Sequence, residues 1–308
     1  MKPINEVNIH TWRLDIDEDH LPEEAFLPAI TEKDNGKVLT VSSDGLWEMA
    51  EISSYGATLP YTEETYDSNG NLIDAKLVGH TVIRNSAFAS CTNLALTSLP
   101  SGLTSIGINA FSRCTNLALT TLPSGLTSIG SSAFSRCTNL ALTSLPSGLT
   151  SIGSSAFGSC TNLALTSLPS GITSIEDSAF YNCTNLALTS LPSGITSIGM
   201  QAFSSCPNIV ITSLPPRLTS IGVLAFSGCT NLALTSLPSE LTTINIGAFM
   251  NCTGLTSITF EGTPTTIDSK AFNGCTNLTT INVPWSEGEV ANAPWGATNA
   301  TINYNYVP

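Results

Sequence analysis

The chain is 308 residues long, carries a net charge of −13, and is 42% hydrophobic but only 11% charged. So apolar a composition excludes a disordered chain, yet no run approaches the ~20 consecutive apolar residues of a membrane-spanning helix. Residues 1–80 hold 16 acids and 5 bases, leaving 7 acids and 5 bases to the rest, so neither part has the basic stripe that nucleic acid or an anionic membrane surface requires. The expectation is a soluble folded protein with no nucleic-acid partner and no membrane insertion. Met1 to Glu6 lacks the apolar core of a secretory signal, and Tyr306-Val307-Pro308 carries no anchor pattern. The chain is therefore expected either to stay where it is made or to have lost a leader.

Residues 1–30 are acidic, with Asp15, Asp17, Glu18, Asp19, Glu23 and Glu24 crowded between Pro3 and Pro28. Such a run is a solvated arm or one that orders against a partner; Asp15-x-Asp17-x-Asp19 lacks the Gly and distal Glu of an EF-hand loop. Lys37 to Val41 and Leu46 to Ile52 flank Ser43-Asp44-Gly45 and predict a β-hairpin. Leu27-Pro28 through Thr31, then Asp34-Asn35-Gly36-Lys37-Val38-Leu39, then Gly45-Leu46-Trp47 resembles a short module of bacteriophage head and tail fibres. The resemblance covers residues 27–52 and implies that residues 1–54 attach the chain to a particle, often as a homotrimer. Residues 55–82, with a turn signal at Asp67-Ser68-Asn69-Gly70, are then a linker and N-terminal cap.

From residue 83 the chain repeats with a constant step of 23. Ala-Phe recurs with phenylalanines at Phe88, Phe111, Phe134, Phe157, Phe180, Phe203, Phe226, Phe249 and Phe272, and three residues after each stands one of the nine cysteines, Cys91 through Cys275. In the repeat beginning at Leu117, Leu117, Leu119 and Leu122 mark one short strand, Pro123-Ser124-Gly125 breaks it, and Leu126 to Ile129 forms a second. Ser131 to Cys137 suits one helical turn, with Ala133, Phe134 and Cys137 inward. No coil can close its own apolar interior, so the coils must stack into a solenoid with continuous Leu, Ile, Phe and Cys ladders.

The pattern Leu-x-x-Ile-Gly-x-x-Ala-Phe-x-x-Cys-x-x-Leu, as at Leu126 to Leu140, resembles the 23-residue leucine-rich repeat of the BspA-like (Treponema pallidum-type) family. The resemblance covers residues 83–281 and implies a leucine-rich-repeat solenoid of nine coils, each with two short strands and a helical turn. The family is known mainly for bacterial surface adhesins and phage-associated proteins that bind host or matrix targets. This chain departs from the pattern where Glu176, Asn245 and Asp268 replace the glycine of Ile-Gly.

The cysteines lie one per coil, with no Cys-x-x-Cys or Cys-His pairing, and read as buried free thiols acting as small hydrophobes rather than as disulfides or metal ligands. The only histidines, His10, His20 and His80, precede the repeats, and no nucleophile-base pair or phosphate loop is present. No enzyme activity and no cofactor are expected.

Positions that vary between coils carry whatever a solenoid binds. They fall between Ile-Gly and Ala-Phe and between Phe and Cys, where Arg113, Arg136, Tyr181, Met200, Val223 and Leu224 form the chemically distinctive strip. It is either drift on a convex surface or a contact patch for protein or glycan, since Tyr and Arg concentrate energy at interfaces. Residues 282–308 depart from the repeat; Trp285 and Trp295 either stack on a sugar or seal the open end of the apolar ladder, which a terminal repeat requires. The expected function is a non-enzymatic virion fibre or decoration protein, located in the virion, whose tip meets a host or mucosal surface. The alternative is an extracellular adhesin of the bacterial cell surface. The receptor's identity is beyond sequence reasoning.

Overall fold

A computed structural model describes residues 81–307 in full, and before them the backbone of the strands at 37–41, 47–51, 64–66 and 72–75. The acidic run at 1–30 and the hairpin turn at 43–45 lie outside the described residues. Strands β1 (Lys37–Val41) and β2 (Trp47–Glu51) pair antiparallel with Lys37 opposite Glu51 and Val41 opposite Trp47, the hairpin expected there. A second antiparallel pair joins β3 (Glu64–Tyr66) to β4 (Leu72–Ala75), in a stretch expected to be linker.

The rest is a parallel β-solenoid. The Ser-Ile dipeptide of each repeat makes a two-residue strand: β5 (Val82–Ile83), β6 (Ser105–Ile106), β7 (Ser128–Ile129), β8 (Ser151–Ile152), β9 (Ser174–Ile175), β10 (Ser197–Ile198) and β11 (Ser220–Ile221). Then β12 (Ser236–Leu237), β13 (Thr243–Ile244), β14 (Ser257–Phe260), β15 (Thr266–Ile267), β16 (Thr280–Asn282) and β17 (Thr301–Asn303) follow. They form three parallel sheets, ordered β5-β6-β7-β8, β9-β10-β11-β13-β15 and β12-β14-β16-β17. The second track becomes a sheet only from β12 onward. Earlier coils have Thr-Ser-Leu there, and the residues just before it make single bonds such as Ala141 N to Leu119 O, 3.1 Å, whereas Ile258-Thr259-Phe260 and Ile281-Asn282-Val283 supply the β-branched and aromatic residues that favour a ladder.

The expected helical turn is replaced by another device. Ala110, Ser112 and Cys114 donate three residues back within their own coil, to Gly107, Asn109 and Phe111 at 3.3, 3.0 and 3.0 Å. The intervening Asn109, Phe111 and Arg113 donate to Ser131, Ala133 and Ser135 of the next coil at 2.9, 2.7 and 2.7 Å. A helix would keep all these bonds inside one coil; here every second N–H points along the solenoid. That alternation needs left-handed backbone at two places per coil, Asn109 (φ 55°) and Arg113 (φ 65°) in this one.

The interior is a set of columns. The nine phenylalanines of the Ala-Phe pairs, Phe88 to Phe272, are buried and stack in one column, with successive ring centroids 5.2 to 5.6 Å apart and ring planes within 17° of parallel. The column does not stop at the ninth coil: Phe272 N donates to Trp295 O at 2.9 Å, and β17 adds to β16, so the C-terminal segment is a shortened tenth coil with Trp295 in the phenylalanine place. Trp285 and Trp295 are 3% and 0% exposed and pack edge-on against each other, with Trp285 also edge-on to Phe260. No ring face of either is left for a sugar.

The sheet face is interrupted once. In the glycine column a Cβ on Gly153 would sit 2.5 Å from Ser131 N and 2.8 Å from Gly130 C, so a side chain there obliges the neighbouring coil to give way. Glu176 occupies the next place in that column, and β9 does not pair with β8. The threonine ladder running beside it, Thr127 Oγ1 to Thr104 O and Thr150 Oγ1 to Thr127 O, skips this junction and resumes with Thr196 Oγ1 to Thr173 O. Asn245 and Asp268 break the same rule more gently: their N–H bonds to the preceding coil persist at 3.1 and 3.0 Å, against 2.8 to 2.9 Å at the glycines, and Asn245 Nδ2 adds a bond to Ile221 O.

Candidate binding face

The corner between each Ser-Ile strand and each cysteine projects side chains outward, because Ala and Phe turn inward between the variable positions. Arg113 and Arg136 occupy the same place on coils two and three, both exposed and both left-handed, at φ 65° and 63°. Equivalent positions hold Ser90, Ser159, Asn182, Ser205, Gly228, Asn251 and Gly274, of which the glycines and asparagines tolerate this backbone better than arginine does. Neither arginine meets a carboxylate among the described residues, and residues 81–160 contain no Asp or Glu at all.

The four other strip residues gather on later coils. Tyr181 is 38% exposed and Met200 46%, while Val223 and Leu224 are half-buried. Met200 and Val223 are followed one coil later in the same track by Ile246, 42% exposed. Leu224 leans over Gly247, whose hypothetical Cβ would lie 2.6 Å from Leu224 Cδ2 and 3.3 Å from the methyl carbon of Met250. An apolar patch of Met200, Val223, Leu224, Ile246 and Met250 thus spans coils six to eight. The sequence strip omitted Ile246 and Met250, although apolar residues at 200, 223 and 246, one period apart, were its visible signal. The arginine pair sits three coils away on a different track, so the strip is two patches.

The cysteine column serves packing. Cys114 to Cys275 are buried, and each thiol donates to the carbonyl of the phenylalanine in the preceding coil at 2.9 to 3.1 Å. Burial pushes the Cys137 and Cys206 thiols up to about 12 and Cys275 up to about 11 from an ordinary 9.0. In Cys160, Cys183, Cys229 and Cys252 burial acts first and neighbouring thiols of the column add to it. These are the opposite of activated nucleophiles. Among the described residues no group of three or more His, Cys, Asp or Glu side chains is placed to hold a metal, and no helix is long and apolar enough to cross a membrane.

Coils of this geometry and period match a family model described as a BspA type leucine rich repeat region, six copies of it, over residues 81–210 and 196–293. The chain belongs to the BspA-type leucine-rich-repeat family. Among solved structures, the BspA-type array is similar to a leucine-rich repeat protein from Bacteroides ovatus, at 20% identity over 81% of this chain and 76% of that one, with a TM-score of 0.52. A Treponema pallidum leucine-rich repeat protein is 29% identical over 57% of this chain and 90% of its own, with a TM-score of 0.46. A leucine-rich cell surface protein from Faecalibacterium prausnitzii is 22% identical over 91% and 96%, with a TM-score of 0.43. No curated protein matches the chain. The BspA-type match begins at residue 81, beyond the fibre-like module at 27–52.

Proposed function

We propose that the protein is a non-enzymatic binding protein of the bacterial cell surface, whose solenoid engages a protein on a host or neighbouring cell through the apolar patch of coils six to eight. The observation that carries this reading is the patch itself. Met200, Val223 and Ile246 stand on three successive coils of one track, whereas Ile108 in the same track is followed by Ser131 and Ser154, and exposed apolar side chains gathered in one place mark contact surfaces. Tyr181, one coil earlier, supplies an aromatic anchor at its edge. Family membership supports the surface role, because BspA-type repeats are known mainly from surface adhesins.

The test is adherence of beads coated with the protein to epithelial cells, beside a triple variant Met200→Ser, Val223→Ser, Ile246→Ser. The reading expects adherence to fall at least ten-fold while the thermal midpoint stays put. Equal adherence of both proteins would remove the patch from the function. The virion-fibre reading rests on the resemblance of residues 27–52, where the described backbone contributes the β1–β2 pair; it predicts a trimer.

A further inference from the structure

A shallow, largely open groove of about 690 Å3 runs over the outer face of β5 to β8, lined by Val82, Arg84, Ser105, Ile108, Ser128 and Ser151 among others. Its length follows from the sequence. Gly107, Gly130 and Gly153 let four coils close into a flat floor, and Glu176 ends the sheet where the groove stops. It is separate from the apolar patch, and the binding role proposed above does not depend on it.

Three features of the groove point to one kind of ligand. The first is a row of unengaged hydroxyls: the side chains of Ser105, Ser128 and Ser151 make no hydrogen bond among the described residues, whereas the next in line, Ser174, donates to Glu176 Oε1 at 2.7 Å. The second is charge. Arg84 lies at the N-terminal end without a carboxylate partner among the described residues, no acid occurs from 81 to 160, and Glu176 and Asp177 stand beyond the far end. The third is a pair of apolar walls, Val82 and Ile108, 48% and 47% exposed. A peptide main chain fits poorly, because this is a sheet face whose backbone groups are spent on coil-to-coil bonds, and strand addition needs a free edge. A sugar fits well: hydroxyls for the serines, a C–H face for Ile108, and an anionic substituent for the guanidinium fork, which takes a carboxylate with two parallel bonds.

We propose that this groove binds the end of a saccharide terminated by a carboxylate-bearing sugar, with the carboxylate on Arg84 and the neutral sugars running toward Ser151. The acidic pair at Glu176 and Asp177 disfavours the anion at the other end.

The experiment titrates the full chain by calorimetry with two acidic probes, sialyllactose and a glucuronic-acid-ended tetrasaccharide, with lactose and an Asp-rich heptapeptide as comparisons. Saturable binding of either acidic sugar is expected, at least ten-fold tighter than lactose and at least ten-fold weakened by Arg84→Gln. Arg84 is exposed, so that variant keeps the core intact; Ser128→Leu, which fills the floor, is the second variant and abolishes binding at an unchanged melting temperature. Replacing Met200 and Ile246 by serine leaves this affinity unaltered, which separates the groove from the patch. The proposal is overturned if neither acidic sugar binds, if lactose or the peptide binds as tightly, or if Arg84→Gln binds like the parent.

Discussion

Cys160 donates its thiol proton to the carbonyl oxygen of Phe134 at 2.9 Å, one coil back, and the same oxygen accepts from Cys137 N at 3.0 Å. The cysteine column is thus a hydrogen-bonding element as well as a filler, since it occupies the second lone pair of a carbonyl sealed away from water. Cys160→Ala should cost about 0.5 to 1.5 kcal/mol, the net worth of one hydrogen bond, since Phe134 O keeps Cys137 N, and urea unfolding of the variant checks it.

The column also makes stability pH-dependent, with a definite sign. A buried thiol whose folded pKa lies near 11 to 12 keeps its proton when the unfolded chain, titrating near 9.0, has begun to lose it. Its contribution is complete below pH 9 and is lost as pH rises toward the folded value, by about 1.4 kcal/mol per unit for each thiol once the unfolded form is ionised. Urea midpoints measured from pH 7 to 10.5 should hold steady up to about pH 8.5 and then fall steeply. In the native protein at pH 8, half-exposed Cys91 should react with a thiol reagent first, and the eight buried cysteines only with denaturant present.

Phe134 stands mid-column between Phe111 and Phe157, 5.4 and 5.5 Å from each. Truncation to alanine leaves a cavity that neighbouring coils, held by backbone bonds on both sides, cannot collapse into. Phe134→Ala should cost about 3 to 5 kcal/mol in urea unfolding. A parent-like midpoint would contradict the stacked interior.

At the interrupted sheet the expected effect has the opposite sign. Glu176→Gly removes the side chain at the gap and with it the bond to Ser174, and should restore two backbone bonds, worth about 0.5 to 1.5 kcal/mol each, against about 0.5 to 1 kcal/mol for glycine's freedom in the unfolded chain. The variant should be more stable by about 1 kcal/mol and melt higher. No gain would assign the gap to something other than that side chain.

Light scattering of the full chain addresses the attachment question directly. A monomer is the outcome expected of a surface adhesin. A stable trimer would restore the fibre reading and give the module at 27–52 its physical role.

Much of the solenoid was legible because its signal is covalent spacing. A step of 23 carried by Phe and Cys fixes which side chains face inward and makes stacking the only way to bury them. What escaped is local. The preference for Ser, Asn and Gly at Asn109 and Arg113 equivalents looked like surface variation, but left-handed backbone imposes it, and only the alternating bonds reveal the demand. Trp295 keeps the step of 23 from Phe272 but escaped because Pro294-Trp295 replaces Ala-Phe and Thr298 stands where the cysteine would be, so the frame that marks the other coils is missing. The apolar patch was half visible: Met200 and Val223 stood out singly, while Ile246 and Met250 join them only once Gly247 lets Leu224 lie across the corner.

The seam at Glu176 also matters for a chain that is pulled. A solenoid anchored at one end and gripping a target at the other bears load along its axis, and identical coil junctions would share that load equally. Here one junction has lost its sheet bonds while keeping its stacked rings and its corner bonds, such as Phe157 N to Ala179 O, so extension should begin between coils four and five. Each 23-residue coil then released adds roughly 75 to 80 Å of contour. The array would yield in measured steps under shear, acting as a tether that lengthens before it lets go.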